Sequence, residues 1–171
     1  FLYGAYSDRM VENPGMWSAL STFAIVGIGA FGSLAGGYYA DRIGRTTVTI
    51  TAMVISGACA LVAGAFGDAP FAVLLLICIV WGISVVADSA QFSSCVIELA
   101  DPHQVGTALT LQNAIGFLIA LVSIHLVPVV ADWAGWWGAF AMLSIGPVAG
   151  TIAMIRLRMM PEASLLAGGR K

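Results

Sequence analysis

Charge is scarce in this sequence. Lysine occurs once, at Lys171, histidine twice, and Asp, Glu, Lys and Arg together fill 9% of 171 positions, against about 25% in ordinary soluble domains. A net charge of −2 excludes nucleic acid or a strongly acidic partner as an electrostatic target. Cysteine is as sparse: Cys59, Cys78 and Cys95 stand singly in apolar runs, with no CxxC spacing and no histidine beside them. That excludes a zinc pattern and a disulfide framework, and leaves three small buried residues. No HExxH, no Ser–His or Cys–His arrangement and no acidic metal cluster falls in an apolar run, so an enzyme is not expected and no cofactor is implied. The stretch at Phe1 has no signal-peptide pattern and no initiating methionine, so a preceding segment is expected upstream.

What is abundant is apolar surface. Hydrophobic residues make up 60% of the chain, in runs that match the roughly 20 apolar residues a helix needs to cross a bilayer. Five spans are expected, at about Trp17–Tyr39, Thr46–Phe66, Phe71–Ile97, Gln104–Val130 and Trp136–Ile155. They are separated by the turn signals "DRIGR", "GDAP", "ELADPHQ" and "ADWAG". The fold class is therefore all-α, a polytopic membrane helix bundle. Residues 1–15 read as the end of a preceding helix and an outer loop, 16–156 as the five-span bundle, and 157–171 as a tail. Asp101 followed by Pro102 reads as a helix cap with proline at the first position.

The basic residues orient the bundle. Arg42 and Arg45 follow span one, and Arg156, Arg158, Arg170 and Lys171 follow span five, leaving only Arg9 on the other side. By the positive-inside rule the "DRIGR" turn, the "ELADPHQ" loop and the tail are cytoplasmic. Trp133, Trp136 and Trp137 mark the opposite interface as anchors, with His125 near the same end.

One turn breaks the apolar pattern: "GGYYADRIGRT", residues 37–47, puts three charges within five positions. Gly37 and Gly44 supply backbone freedom for the reversal. Asp41 has Arg42 and Arg45 as candidate partners, or the positive end of a neighbouring helix. An ion-pair set at a helix seam that forms in one conformation and breaks in another is a latch. Span one leads into it through the small residues Gly29, Gly32, Ser33, Gly36 and Gly37, a face that lets helices approach closely.

These residues resemble a family. Gly37-Tyr-Tyr-Ala40-Asp41-Arg42-Ile-Gly44-Arg45 is similar to the signature loop of the major facilitator superfamily of secondary transporters, between the second and third helices of a six-helix half. "ADWAGWWGAFAML" resembles the entry into the last helix of a half, "IRLRMMPEA" the basic exit after it, and "VGTALTLQNAIGF" the fifth helix. The pattern departs at Val105, where the family often has arginine, so Glu98 is left to pair with Arg42 or Arg45. Gly146-Pro147-x-x-Gly150 is similar to an antiporter motif but lies in the wrong span, and implies no antiport. The resemblance implies about five helices of a six-helix half, with helices eight to twelve the expected assignment. It also implies a missing N-terminal half as partner, a small solute moved by alternating access, and residence in a bacterial inner membrane.

Span three carries polar residues that packing does not require. Ser84, Asp88, Gln91 and Cys95 recur on one helical face, and a carboxylate at bilayer depth is costly unless paired, hydrated or protonated. Asp88 is read as facing a cavity, where it binds a cation or an amine, carries a coupling proton or pairs with a base from the missing half, or as a packing residue near the end of a long helix. Span four adds Thr107, Thr110, Gln112 and Asn113, suited to a solute or to interhelical hydrogen bonds. The other class of reading is a non-transporting structural or assembly subunit. A latch together with a polar stripe favours the transporter.

Overall fold

In hydrocarbon every backbone N–H and C=O must be satisfied within its own segment, so the long apolar runs have the helix as their solution. The structure, a computed structural model, describes residues 2–7, 12–65 and 70–170. It contains α1 (Leu2–Ser7), α2 (Pro14–Ile43), α3 (Arg45–Ala65), α4 (Phe71–Leu99) and α5 (Val105–Met159), followed by a 3-10 segment, Pro161–Gly169. Four of these helices are long and apolar enough to cross a membrane. Many large side chains, Phe23, Phe31, Leu34 and Phe117 among them, are uncovered by the rest of the chain, as an apolar solvent allows. Several hydroxyls inside the helices are satisfied by carbonyls four residues back, as in Thr51 to Thr47, Ser94 to Ala90 and Ser123 to Ile119.

The fourth of these helices has 55 residues and as a straight rod measures about 80 Å, far more than the ~30 Å hydrocarbon layer. It does not run straight. Gly135 has φ 70 and ψ 178, outside the helical region, and both ends of α5 lie at the same end of the bundle. Gln112 reaches Ser93 of α4, while Met154 packs with Met53 and Cys95. Helix α5 thus reverses at Gly135 into segments 105–134 and 136–159, and the expected "ADWAG" turn shrinks to that one glycine. Segment 136–159 lies antiparallel on α3, with Phe140 at Gly64, Pro147 at Gly57 and Met53 at Gly150. Trp81 of α4 ties this layer together, stacking edge-on against Phe140 at 5.6 Å and donating its indole N–H to Ser56 Oγ at 3.1 Å. Segment 105–134 contains no buried residue.

Helices α2 and α4 run parallel and nearly touch. A Cβ on Gly29 would stand 2.6 Å from Val86, one on Gly32 would meet the Ile83 carbonyl oxygen, and one on Gly82 would stand 2.6 Å from Ile25. The small-residue ladder of α2 is a packing face for Gly29, Gly32 and Gly36. Gly37 has open space around it. It also lies inside α2, which continues four residues beyond the expected end, so the link to α3 is Gly44 alone. Asp101 and Pro102 do not start a helix. Asp101 Oδ1 accepts the His103 N–H at 2.8 Å, closing a turn that delays the helix to Val105. Arg9, Asp68 and Lys171 lie outside the described residues.

Candidate functional site: a charged latch and a polar cleft

The latch is built by the shortest possible link between two long helices. Gly44 takes φ 100 and ψ 141 and donates its N–H to Ala40 O at 3.0 Å, a backbone state open in practice to glycine. It aims Arg45, the first residue of α3, back across the seam. Arg45 pairs with Asp41 at 3.2 Å and with Glu98 Oε1 through Nε at 2.8 Å and Nη2 at 2.7 Å. Its remaining Nη donates to Gln91 Oε1 at 3.2 Å. One guanidinium therefore holds the end of α2 and two turns of α4, which a point-charge ammonium cannot do in this geometry.

Of the two arginines available to Asp41 and Glu98, Arg45 takes both. Arg42 lies instead over the Tyr38 ring, 4.2 Å from its centroid, a cation–π contact on the outer face of α2. Arg158 of α5 reaches Thr47 Oγ1 at 2.6 Å, so the last helix is tied to the same end of α3. The other oxygen of Glu98 accepts the N–H of Ala167 at 2.9 Å. That partner has no sequence signal, because a backbone N–H carries none.

The polar face of α4 divides between two neighbours. Gln91 is 1% exposed and belongs to the latch. Ser84 is buried beside Gly32, Gly36 and α3, with its hydroxyl on the Val80 carbonyl. Asp88 is 9% exposed; Ser89 Oγ donates to its Oδ1 at 3.2 Å, and no basic side chain among the described residues forms an ion pair with it. One step round the helix opens a cleft of about 570 Å³ between α4 and segment 105–134, mostly apolar (Phe92, Ile115, Phe117, Ile119) with Ser89, Ser93, Gln112 and Asn113 as its polar groups. Gln112 Nε2 donates to Ser93 Oγ at 3.4 Å, and Gln112 Oε1 is buried with no partner. Ser89 and Ser93 were not singled out in the sequence. Their spacing of four makes a second polar face, flanked by Phe92, that the Ser84–Asp88–Gln91 stripe obscures. His125 makes a local contact to the Leu121 carbonyl at 2.9 Å and takes no part in the cleft. No group of three or more His, Cys, Asp or Glu among the described residues is placed to hold a metal ion.

Four helices long and apolar enough to cross a membrane, with large apolar side chains uncovered along them, define a polytopic integral membrane protein. The family model of the Major Facilitator Superfamily matches residues 9–171, and the chain belongs to that superfamily. No curated protein and no solved structure matches it. The superfamily is one of transporters of small solutes, so the protein is a transporter of that superfamily. A non-transporting assembly role finds no support.

Proposed function

We infer that the chain supplies one half of a secondary active transporter that moves a small solute by alternating access, coupled to a proton or another cation. The observation that carries this reading is Asp88: a buried carboxylate with no ion-pair partner among the described residues, one residue from Ser89 on the wall of the cleft. A carboxylate in that position is retained at a cost, and binding a cation or a proton offsets it. In this reading Ser89, Ser93, Gln112 and Asn113 present the cleft to the solute, and Asp88 titrates behind them. The Arg45–Glu98–Asp41 cluster lies at the cytoplasmic end and biases the two access states without touching the solute. The uncovered segment 105–134 supports a cavity completed by a second, N-terminal half, with this chain providing helices eight to twelve, in the inner membrane of a bacterium.

The test is solute uptake by whole cells across a range of pH. Asp88→Asn keeps the shape and removes the titrating proton, so it should abolish cation-dependent uptake, while Asp88→Glu should retain part of it. Normal uptake by Asp88→Asn at every pH would make Asp88 structural and move the coupling group elsewhere.

A further inference from the structure

The segment after the last helix is the part of the chain least committed to lipid, yet it holds one of its best-covered leucines. Within Pro161–Gly169, Ala163 and Leu166 are 0% exposed. Leu166 inserts into an apolar cluster formed by Met53 of α3, Cys95 of α4 and Met154 of α5, with Phe92 and Leu157 at its edge. Ala167 then turns into the left-handed region at φ 48, followed by Gly168 at φ 65. This turn delivers the Ala167 N–H to Glu98 Oε2 at 2.9 Å. Beyond it, Arg170 donates to the carbonyl oxygen of Asp41 at the end of α2.

Ten residues thus contact α2, α3, α4 and α5, and do so at the two acids of the latch. We propose that residues 161–170 form a strap that closes this end of the bundle, and that its docking is read by the second oxygen of Glu98. With the strap seated, Glu98 divides its oxygens, Oε1 to Arg45 and Oε2 to Ala167. With the strap released, Oε2 loses its donor, the leucine socket opens onto Cys95, and the α2 end loses its tie to Arg170. The strap and the latch are one unit, in which the apolar anchor supplies affinity and the hydrogen bond reports seating. Seating of the strap depends on neither the solute nor the coupling reaction described above.

The reporter is already in the sequence. Cys95 is 4% exposed beneath Leu166, whereas Cys78, 8% exposed on the same helix, is lined by Ile25, Trp81 and Phe140 at the other end. The intact protein in membrane vesicles is treated with a membrane-permeant maleimide, and labelling is followed separately at each cysteine by peptide mass spectrometry. Leu166→Ser should accelerate labelling of Cys95 by about tenfold or more while leaving Cys78 unchanged, since a buried leucine is a large share of so small a docking surface. Ala167→Pro removes the donor and forbids φ 48, and should act in the same direction. Ala167→Gly suits that backbone and should label like the parent. Cys95 protection unchanged in both Leu166→Ser and Ala167→Pro would overturn the strap. So would a parallel rise at Cys95 and Cys78, which marks loosening of the whole bundle.

Discussion

Arg45 and Glu98 each stand at the wrong end of their own helix. Arg45 is the first residue of α3, where the helix dipole is positive, and Glu98 is the last but one of α4, where it is negative. Each charge is disfavoured by the helix that carries it and stabilised by the other across a 2.7 Å contact. Asp41, in the last turn of α2, is misplaced in the same sense and is also answered by Arg45. Three charges that no single helix favours therefore hold three helices together, and separating them leaves each facing its own dipole.

Removing the hub should show this. Arg45→Ala is expected to lower stability by about 2 kcal/mol, in the range for a hydrogen-bonded charge that is partly covered, and to reduce solute uptake strongly. Arg45→Lys should fall between, because an ammonium cannot reach Asp41, Glu98 and Gln91 together. Asp41→Asn should reduce uptake with little change in stability, since that carboxylate is largely exposed. Thermal unfolding in detergent and uptake at matched expression are the measurements. Unchanged uptake in all three would reduce the motif to a topogenic turn.

The glycines of α2 should divide by neighbour. Gly32→Ala drives a methyl into the Ile83 carbonyl oxygen and should cost about 1–3 kcal/mol as overpacking. Gly37→Ala meets nothing within 4 Å and lies mid-helix, so it should be neutral or stabilise by about 0.5–1 kcal/mol. Unfolding midpoints of the two variants decide; equal destabilisation would contradict the α2–α4 packing.

Two glycines take backbone angles that other residues rarely adopt. Gly44 at φ 100 and Gly135 at φ 70 should each lose about 1–3 kcal/mol on replacement by alanine, although an added methyl at Gly135 would touch nothing. Neutral unfolding of Gly135→Ala would mean that α5 reverses by some other route.

Sidedness is tested by an impermeant thiol reagent applied from outside. If the arginines face the cytoplasm, Asp132→Cys should be labelled and Arg156→Cys spared. The opposite pattern would invert every assignment of sides.

The helices were legible because their cause is one-dimensional: a long apolar run needs an internally bonded backbone wherever it lies. The helix starts and stops were legible only where a residue has one use. Gly44 marks its break, but Asp101-Pro102 suits a cap and a turn equally, and the turn formed because the Asp101 carboxylate found the His103 N–H. The arginine that serves Glu98 was undetermined between Arg42 and Arg45, three positions apart, until the one-residue link fixed which of them faces inward. Ser89 and Ser93 were obscured because serine in a membrane helix is commonly satisfied by its own backbone. The docking of Leu166 had no local signature at all, since the cluster that receives it comes from α3, α4 and α5.

The break at Gly135 also bears on how the chain enters the bilayer. Between Asp101 and Arg156 there is one charged side chain, Asp132, and acidic residues steer insertion weakly. A translocating machine reading residues 105–155 in order meets two apolar lengths with almost nothing polar to stop between them. Neither length carries a lysine or arginine of its own, so the pair is expected to enter as a hairpin with its bend at Gly135. By the positive-inside rule the open end of the hairpin is expected on the cytoplasmic side, held there by Arg156 and Arg158 together with Arg42 and Arg45 upstream.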